Sequence, residues 1–278
     1  MSEVLEVHNL RKLRPSGFQL NDISFTLEEG RILGFIGSAG SGKSTALKAI
    51  AGLIRPDGGG VRVFGLNFAE NERTVKQRMG ISIAPSHPYG KKKISEIIKA
   101  TRPFYDTWDE EEHRKYMARF DLNPDKKPEQ LTEGARIRLK LALAMSHRAR
   151  LLILDEPTDR LDPVSADDLM DAFWYLRTQG VAILLATRSP SVVEKCCDDL
   201  AYIRGGQIIE AEPLADFIAF HRHMGAGDKL EDIIACYEKG GYTSREAWEK
   251  EIIGAAGQDG ADGAETEEHP EAVEQPAE

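Results

Sequence analysis

The chain has 278 residues, 41% of them apolar, enough to bury a substantial core as one large domain or a domain with appendages. Its formal charge of −10 is unevenly placed: residues 254–278 hold eight Asp or Glu and no Lys or Arg, and without those eight the remainder stands at −2. That near-neutral body has no strong basic footprint for nucleic acid beyond the run Lys91–Lys93, its three cysteines make neither a disulfide framework nor a metal spacing, and no uninterrupted apolar run reaches the ~18 residues that cross a bilayer.

Taken from the start, Met-Ser-Glu-Val-Leu-Glu is acidic and lacks a basic segment followed by an apolar one, so no secretory leader is expected and a reduced, cytosolic setting fits. Val4–Val7 and Ile23–Leu27 predict strands with a Gly/Pro-containing loop between them. Ile32–Ile36 predicts a third strand and Thr45–Leu53 a helix. Between them lies Gly37-Ser38-Ala39-Gly40-Ser41-Gly42-Lys43-Ser44, which fits G-x-x-x-x-G-K-[ST] at Gly37, Gly42, Lys43 and Ser44. In a strand–loop–helix setting, glycines let backbone N–H groups approach a polyphosphate and the helix N-terminus adds a favourable dipole. Lys43 is then expected to reach the β- and γ-phosphates and the Ser44 hydroxyl to ligate magnesium.

Pro56–Gly60 reads as a turn cluster, followed by strands at Val61–Phe64 and Gly80–Ala84. From Pro85 to Gln130 the pattern turns helical, with helices predicted at Ile94–Thr101 and Glu110–Phe120. Phe104, Tyr105, Trp108, Tyr116 and Phe120 gather there, as a small core or in part as a partner surface. Residues 136–147 are helical in composition, and Leu151–Leu154 is a buried strand ending in Asp155-Glu156. In a sheet that also feeds a phosphate loop, such a strand delivers its last carboxylates beside that loop. Asp155 is expected to hold a magnesium-bound water and Glu156 to polarise an attacking water. Helix Ala166–Thr178, strand Val181–Ala186 with Thr187-Arg188 after it, helix Ser191–Cys197 and a hairpin of Leu200–Ile203 with Gln207–Ile209 through Gly205-Gly206 complete an α/β layered pattern. Short helices follow at Leu214–His223, Lys229–Lys239 and Ser244–Ile253, and the Gly/Ala/Glu-rich stretch beyond Gly254 is expected to be disordered.

Three of these elements, in this order, resemble the ATP-binding subunit of an ABC transporter: the phosphate loop, Leu131-Thr132-Glu133-Gly134-Ala135 in the place of that family's LSGGQ signature, and Leu151–Thr158 followed by Leu161-Asp162-Pro163. The resemblance covers roughly residues 3–212. It implies a P-loop NTPase fold of the ABC-ATPase type, with an ATP-binding domain at 1–222 that includes a helical subdomain at about 86–148. A helical extension at 223–253 and an acidic tail at 254–278 complete the implied division. It also implies ATP and Mg2+ as ligands, held by residues 37–45 (Gly37, Ser38, Ala39, Gly40, Ser41, Gly42, Lys43, Ser44 and Thr45). The active form would be a sandwich dimer, with a second copy or another ATPase subunit. Each nucleotide would lie between one phosphate loop and the partner's Thr132, Glu133 and Gly134, and Asp162 would connect the two sites. Separate multi-span membrane subunits would be contacted through the helical subdomain, which places the chain in the cytoplasm at the inner face of the membrane, with no nucleic-acid partner. The stretch from Phe104-Tyr105-Asp106-Thr107-Trp108 to His147 is similar to ATPase subunits of bacterial type-two ABC exporters.

Four departures from that family pattern bear on activity. Arg14 stands where the family places an aromatic that stacks on adenine; it reads either as a guanidinium that stacks on the base, with Phe18 nearby, or as a surface arginine. The glutamine that meets magnesium is replaced by Ser86 or His87. In the signature, Glu133 brings a carboxylate and Ala135 lacks an amide. The switch histidine is Arg188, which either clamps γ-phosphate like an arginine finger or pairs with Glu156 and neutralises the base. Three functions follow: an ATPase that drives an exporter, an ATP clamp that hydrolyses poorly, or a soluble ABC-type ATPase without membrane subunits.

Overall fold

The central strands are apolar at nearly every position, as strands buried on both faces must be, and their alternate side chains enter different cores. The computed structural model describes residues 2–83, 91–223 and 225–239. Six strands form one sheet in the order β10 (Gln207–Pro213), β9 (Asp199–Arg204), β3 (Ile32–Ile36), β8 (Ala182–Thr187), β7 (Leu151–Asp155), β6 (Met79–Ser82). All neighbours are parallel except the β9–β10 hairpin. A second, antiparallel sheet runs β2 (Gln19–Glu28), β1 (Glu3–Leu13), β4 (Gly58–Val63), β5 (Leu66–Asn67).

Helix α1 (Lys43–Ile50) packs against strands of both sheets, and its Ala46, Leu47 and Ile50 share a core with Leu10, Phe35 and Leu184. On the other face of the large sheet, Leu152, Leu154, Ile183 and Leu185 meet α4 (Glu110–Arg119), α5 (Glu133–Ser146) and α6 (Pro163–Thr178). Helices α7 (Pro190–Cys196), α8 (Leu214–His223) and α9 (Leu230–Glu238) cover the β9 end, around Phe217 and Tyr237. Among the described residues, no helix is long and apolar enough to cross a membrane.

The predicted elements recur with shifted ends (α1 starts at Lys43 and β1 runs on to Leu13), and the short strand β5 is an addition; three further differences have clear causes. Helix α2 (Phe68–Lys76) forms where no element is predicted, because it buries only Phe68 and Val75 and so lacks an apolar stripe; the Asn67 side chain caps it by accepting from Ala69 N–H. Strand β4 begins at Gly58, inside the predicted turn cluster, because residues 58 and 60 pair with Arg11 and His8 of β1. Helix α5 begins at Glu133 rather than 136, because Thr132 Oγ1 accepts the Ala135 N–H and starts the helix early. Helix α3 (Ile94–Thr101) lies as predicted. The helix expected at Ser244–Ile253, the acidic tail, and Ser86 and His87 lie outside the described residues.

The helical segment is fastened to the sheet at His147, just after α5. Its Nδ1 lies 2.9 Å from Gln77 O, its ring stacks on Tyr105 with centroids 3.7 Å apart, and its carbonyl accepts from Thr107 Oγ1 at 2.8 Å. Gln77 closes the same joint: Nε2 donates to Phe104 O and Oε1 accepts from Asp106 N–H.

Candidate active site

Strand β3 delivers Gly37 directly after its last apolar residue. A Cβ there would lie 2.2 Å from Ile203 O, so only glycine lets the loop turn against β9. Gly42, at φ +114°, is the N-cap of α1, and the cap makes no side-chain hydrogen bond. The first N–H groups of α1 therefore face an open cavity, where an anion satisfies them. That cavity, of about 510 Å³, is lined by the loop together with Arg14, Ser16, Phe18, Glu156 and Arg188.

Lys43 is only 5% exposed and donates from Nζ to Gly37 O at 2.6 Å and Ser38 O at 3.0 Å. Its Nζ also lies 3.8 Å from Glu156 Oε1. Burial pulls the lysine below its ordinary pKa, against the opposing charge of Glu156. Glu156 follows β7 in a left-handed conformation, φ +48°, and burial raises its pKa while Lys43 and Arg188 oppose the rise. Arg188 follows β8, the neighbour of β7. Its backbone N–H donates to Glu156 Oε2 at 3.2 Å, its Nε to Glu156 Oε1 at 3.2 Å, and its Nη2 to Asp159 Oδ1 at 3.3 Å. Asp159 was not among the residues expected here. A charged residue three beyond Glu156, in a turn closed by Asp159 N–H to Glu156 O at 3.1 Å, is the signal that could have found it.

The donor set suits magnesium. Asp155 Oδ1 is buried with no hydrogen-bond partner among the described residues, and the exposed Ser44 lines the cavity. Both offer hard oxygens, the ligand type that magnesium takes. Ser41 Oγ is also buried and unpartnered at the loop.

Ser38, Ala39 and Gly40 are exposed along the loop, and Thr45 is buried beneath it. Arg14 lines the same cavity and donates from Nη1 to Thr45 Oγ1 at 3.1 Å, so its charge is held beside the first turn of α1. Thr132, Glu133, Gly134 and Asp162 lie elsewhere, at the N-termini of α5 and α6. Glu133 pairs with Arg136 of its own helix at 2.9 Å, and Asp162 accepts from Ser165 N–H at 3.0 Å and Oγ–H at 2.6 Å. A Cβ on Gly134 would find its nearest neighbour, Ser165 Cβ, at 3.6 Å, an ordinary contact.

Residues 20–159 match the family model described as ABC transporter. The bacitracin transport ATP-binding protein BcrA of Bacillus licheniformis is 26% identical over 233 residues, covering 77% of this chain and 71% of that protein. The energy-coupling factor transporter ATP-binding protein EcfA2 of Symbiobacterium thermophilum is 32% identical over 199 residues, covering 68% of this chain and 69% of its own. A solved ATP-binding subunit of an ABC transporter has a TM-score of 0.73 and 24% identity, covering 84% of this chain and 98% of that one. That last likeness establishes the fold.

Proposed function

This chain belongs to the ATP-binding subunits of the ABC transporter family, and from that premise we propose that it binds Mg-ATP, closes into a dimer around it and hydrolyses it to drive a membrane exporter. The observation that carries the reading is the meeting of Lys43, Glu156 and Arg188 at the mouth of the phosphate loop, with Glu156 Oε1 3.8 Å from Lys43 Nζ and 3.2 Å from Arg188 Nε. The N–H groups at the start of α1 bind the phosphate chain, and Lys43 exchanges the carbonyls of Gly37 and Ser38 for phosphate oxygens. Ser44 and Asp155 would hold Mg2+, which when bound neutralises charge on the phosphoryl oxygens. Glu156 orients the attacking water and accepts its proton. Arg14, tied to Thr45, lays its guanidinium against the nucleotide.

The dimer reading draws on Gly134. Among the described residues nothing crowds a Cβ on Gly134, whose nearest neighbour would be Ser165 Cβ at 3.6 Å, so the glycine is free to serve a close approach across an interface. Thr132, Gly134 and the start of α5 would present their N–H groups to the γ-phosphate held by a second subunit, and Asp162 would link the two sites. The second subunit is another copy or a related ATPase. Export is supported by the Phe104–His147 stretch, which is similar to exporter ATPases, and transport as such by the bacitracin-transport relative. The membrane subunits are separate chains, which leaves this one on the cytoplasmic face.

Arg188 favours a second reading, because a guanidinium on the general base holds back hydrolysis and leaves an ATP clamp. Phosphate release at saturating Mg-ATP, with partner subunits present, separates the two. Under the first, the wild type turns over readily and Arg188→Ala costs on the order of a hundredfold. Under the second, the wild type is slow, and Arg188→His raises the rate severalfold. In both, Glu156→Gln abolishes hydrolysis, and Lys43→Ala weakens ATP binding roughly tenfold or more in calorimetry. Unchanged binding by Lys43→Ala would remove the assignment of the site itself.

A further inference from the structure

The side chain of Arg188 is shared between two carboxylates, and the way it is shared matters for the base. An arginine pairs most strongly with one carboxylate through two parallel N–H···O bonds. In the side-on form those two donors are Nε–H and one Nη–H. Here they diverge: Nε–H goes to Glu156 Oε1 at 3.2 Å, and Nη2–H goes to Asp159 Oδ1 at 3.3 Å. Glu156 therefore receives one long guanidinium bond instead of a fork. Backbone geometry makes the division possible. Glu156 and Arg160 are both left-handed, at φ +48° and +65°, and the turn between them brings the Asp159 carboxylate within reach of the arginine that Glu156 also holds. The other charges around Glu156 are Lys43 on α1 and Asp155 on β7, while Arg160 Nε lies 3.6 Å from Asp159 Oδ2.

We propose that Asp159 is a positioning residue for ATP hydrolysis: it draws one arm of Arg188 away from Glu156, so that Oε2, which already accepts the Arg188 backbone N–H, keeps its second lone pair for the attacking water. The proposal rests on the ATPase reading, in which Glu156 is that base. Without Asp159, Nη2 turns to Glu156 Oε2 and the fork closes. The Asp159–Arg188 pair is itself half exposed, and such pairs add little to stability. Its effect is thus on geometry at the base rather than on folding.

Two measurements test this, both on the full chain. The first needs no nucleotide: side-chain 15N NMR of the Arg188 guanidinium. Asp159→Ala should slow rotation about its Nε–Cζ bond roughly threefold as the fork closes. Unchanged or faster rotation overturns the proposal. The second is steady-state phosphate release with partner subunits present. Asp159→Ala should lower kcat about fivefold with KM for Mg-ATP within about twofold, Asp159→Glu should restore most of it, and the loss should vanish in an Arg188→Ala background. An equal loss in both backgrounds, or a fall in melting temperature that tracks the rate, makes Asp159 merely structural and overturns the proposal. If the wild type releases no phosphate while the rotation slows as expected, the ATPase reading fails and the placement of Arg188 by Asp159 stands.

Discussion

Protonating His147 should loosen the joint between the helical segment and the large sheet. The ring is 2% exposed, stacks on Tyr105, and places Nδ1 2.9 Å from Gln77 O. A carbonyl only accepts, so the neutral ring carries its proton on Nδ1. Burial pulls its pKa down from 6.5 to about 4, with the Gln77 bond opposing. The sign follows. Below pH 6.5 the unfolded chain takes up a proton that the folded chain refuses until about pH 4, so stability falls as pH drops through that window and the loss is complete below it. The full difference is about 3 kcal/mol, most of which arises between about pH 7 and pH 4.5. For a domain of this size that is about 5–10 °C in Tm. Carboxylates titrate in the same range, so the assay is a comparison: urea unfolding of wild type and His147→Gln at both pH values. The wild type should lose about 2 to 3 kcal/mol more than the variant. Equal losses, within about 0.5 kcal/mol, would mean that His147 charges freely in the folded state, and the argument from burial would fail.

The phosphate loop and the ion pairs beneath it give further tests. Gly37→Ala puts a methyl carbon 2.2 Å from Ile203 O, and a backbone carbonyl in a sheet cannot yield, so ATP affinity should fall by about tenfold or more in calorimetry. Gly134→Ala, with its nearest neighbour at 3.6 Å, should melt like the wild type and lose only nucleotide-dependent dimerisation, measured by light scattering. Asp198 accepts from Arg177 Nε at 2.8 Å and Ile32 N–H at 2.9 Å, so Asp198→Ala leaves a part-buried guanidinium and a strand N–H without acceptors. It should cost about 3–5 kcal/mol in urea unfolding, and a loss under about 1 kcal/mol would show that water replaces the carboxylate.

The amino-acid sequence by itself determined the elements and the phosphate loop. Eight residues that leave an apolar strand and run into the first turn of a helix suffice to place Gly37, Gly42, Lys43 and Ser44, because the turn they form is local. The apolar run Leu151–Leu154 likewise marks a strand buried on both faces and puts Asp155-Glu156 at its end. Helix α2 escaped that reading because two buried residues make no stripe, and α5 began early because a single capping hydroxyl outweighed composition. Only the tertiary structure decided which charged groups meet. Arg188 reaches Glu156 across 32 positions because β7 and β8 are neighbours in register, Asp155 beside Ala186. His147 finds Gln77 O 70 positions away, where the end of α5 returns to the segment before β6. Short-range spacing encodes helices, strands and turns through backbone sterics and the period of burial. Strand order and register are settled by the whole core at once, and they alone determine that Arg188 lies on Glu156.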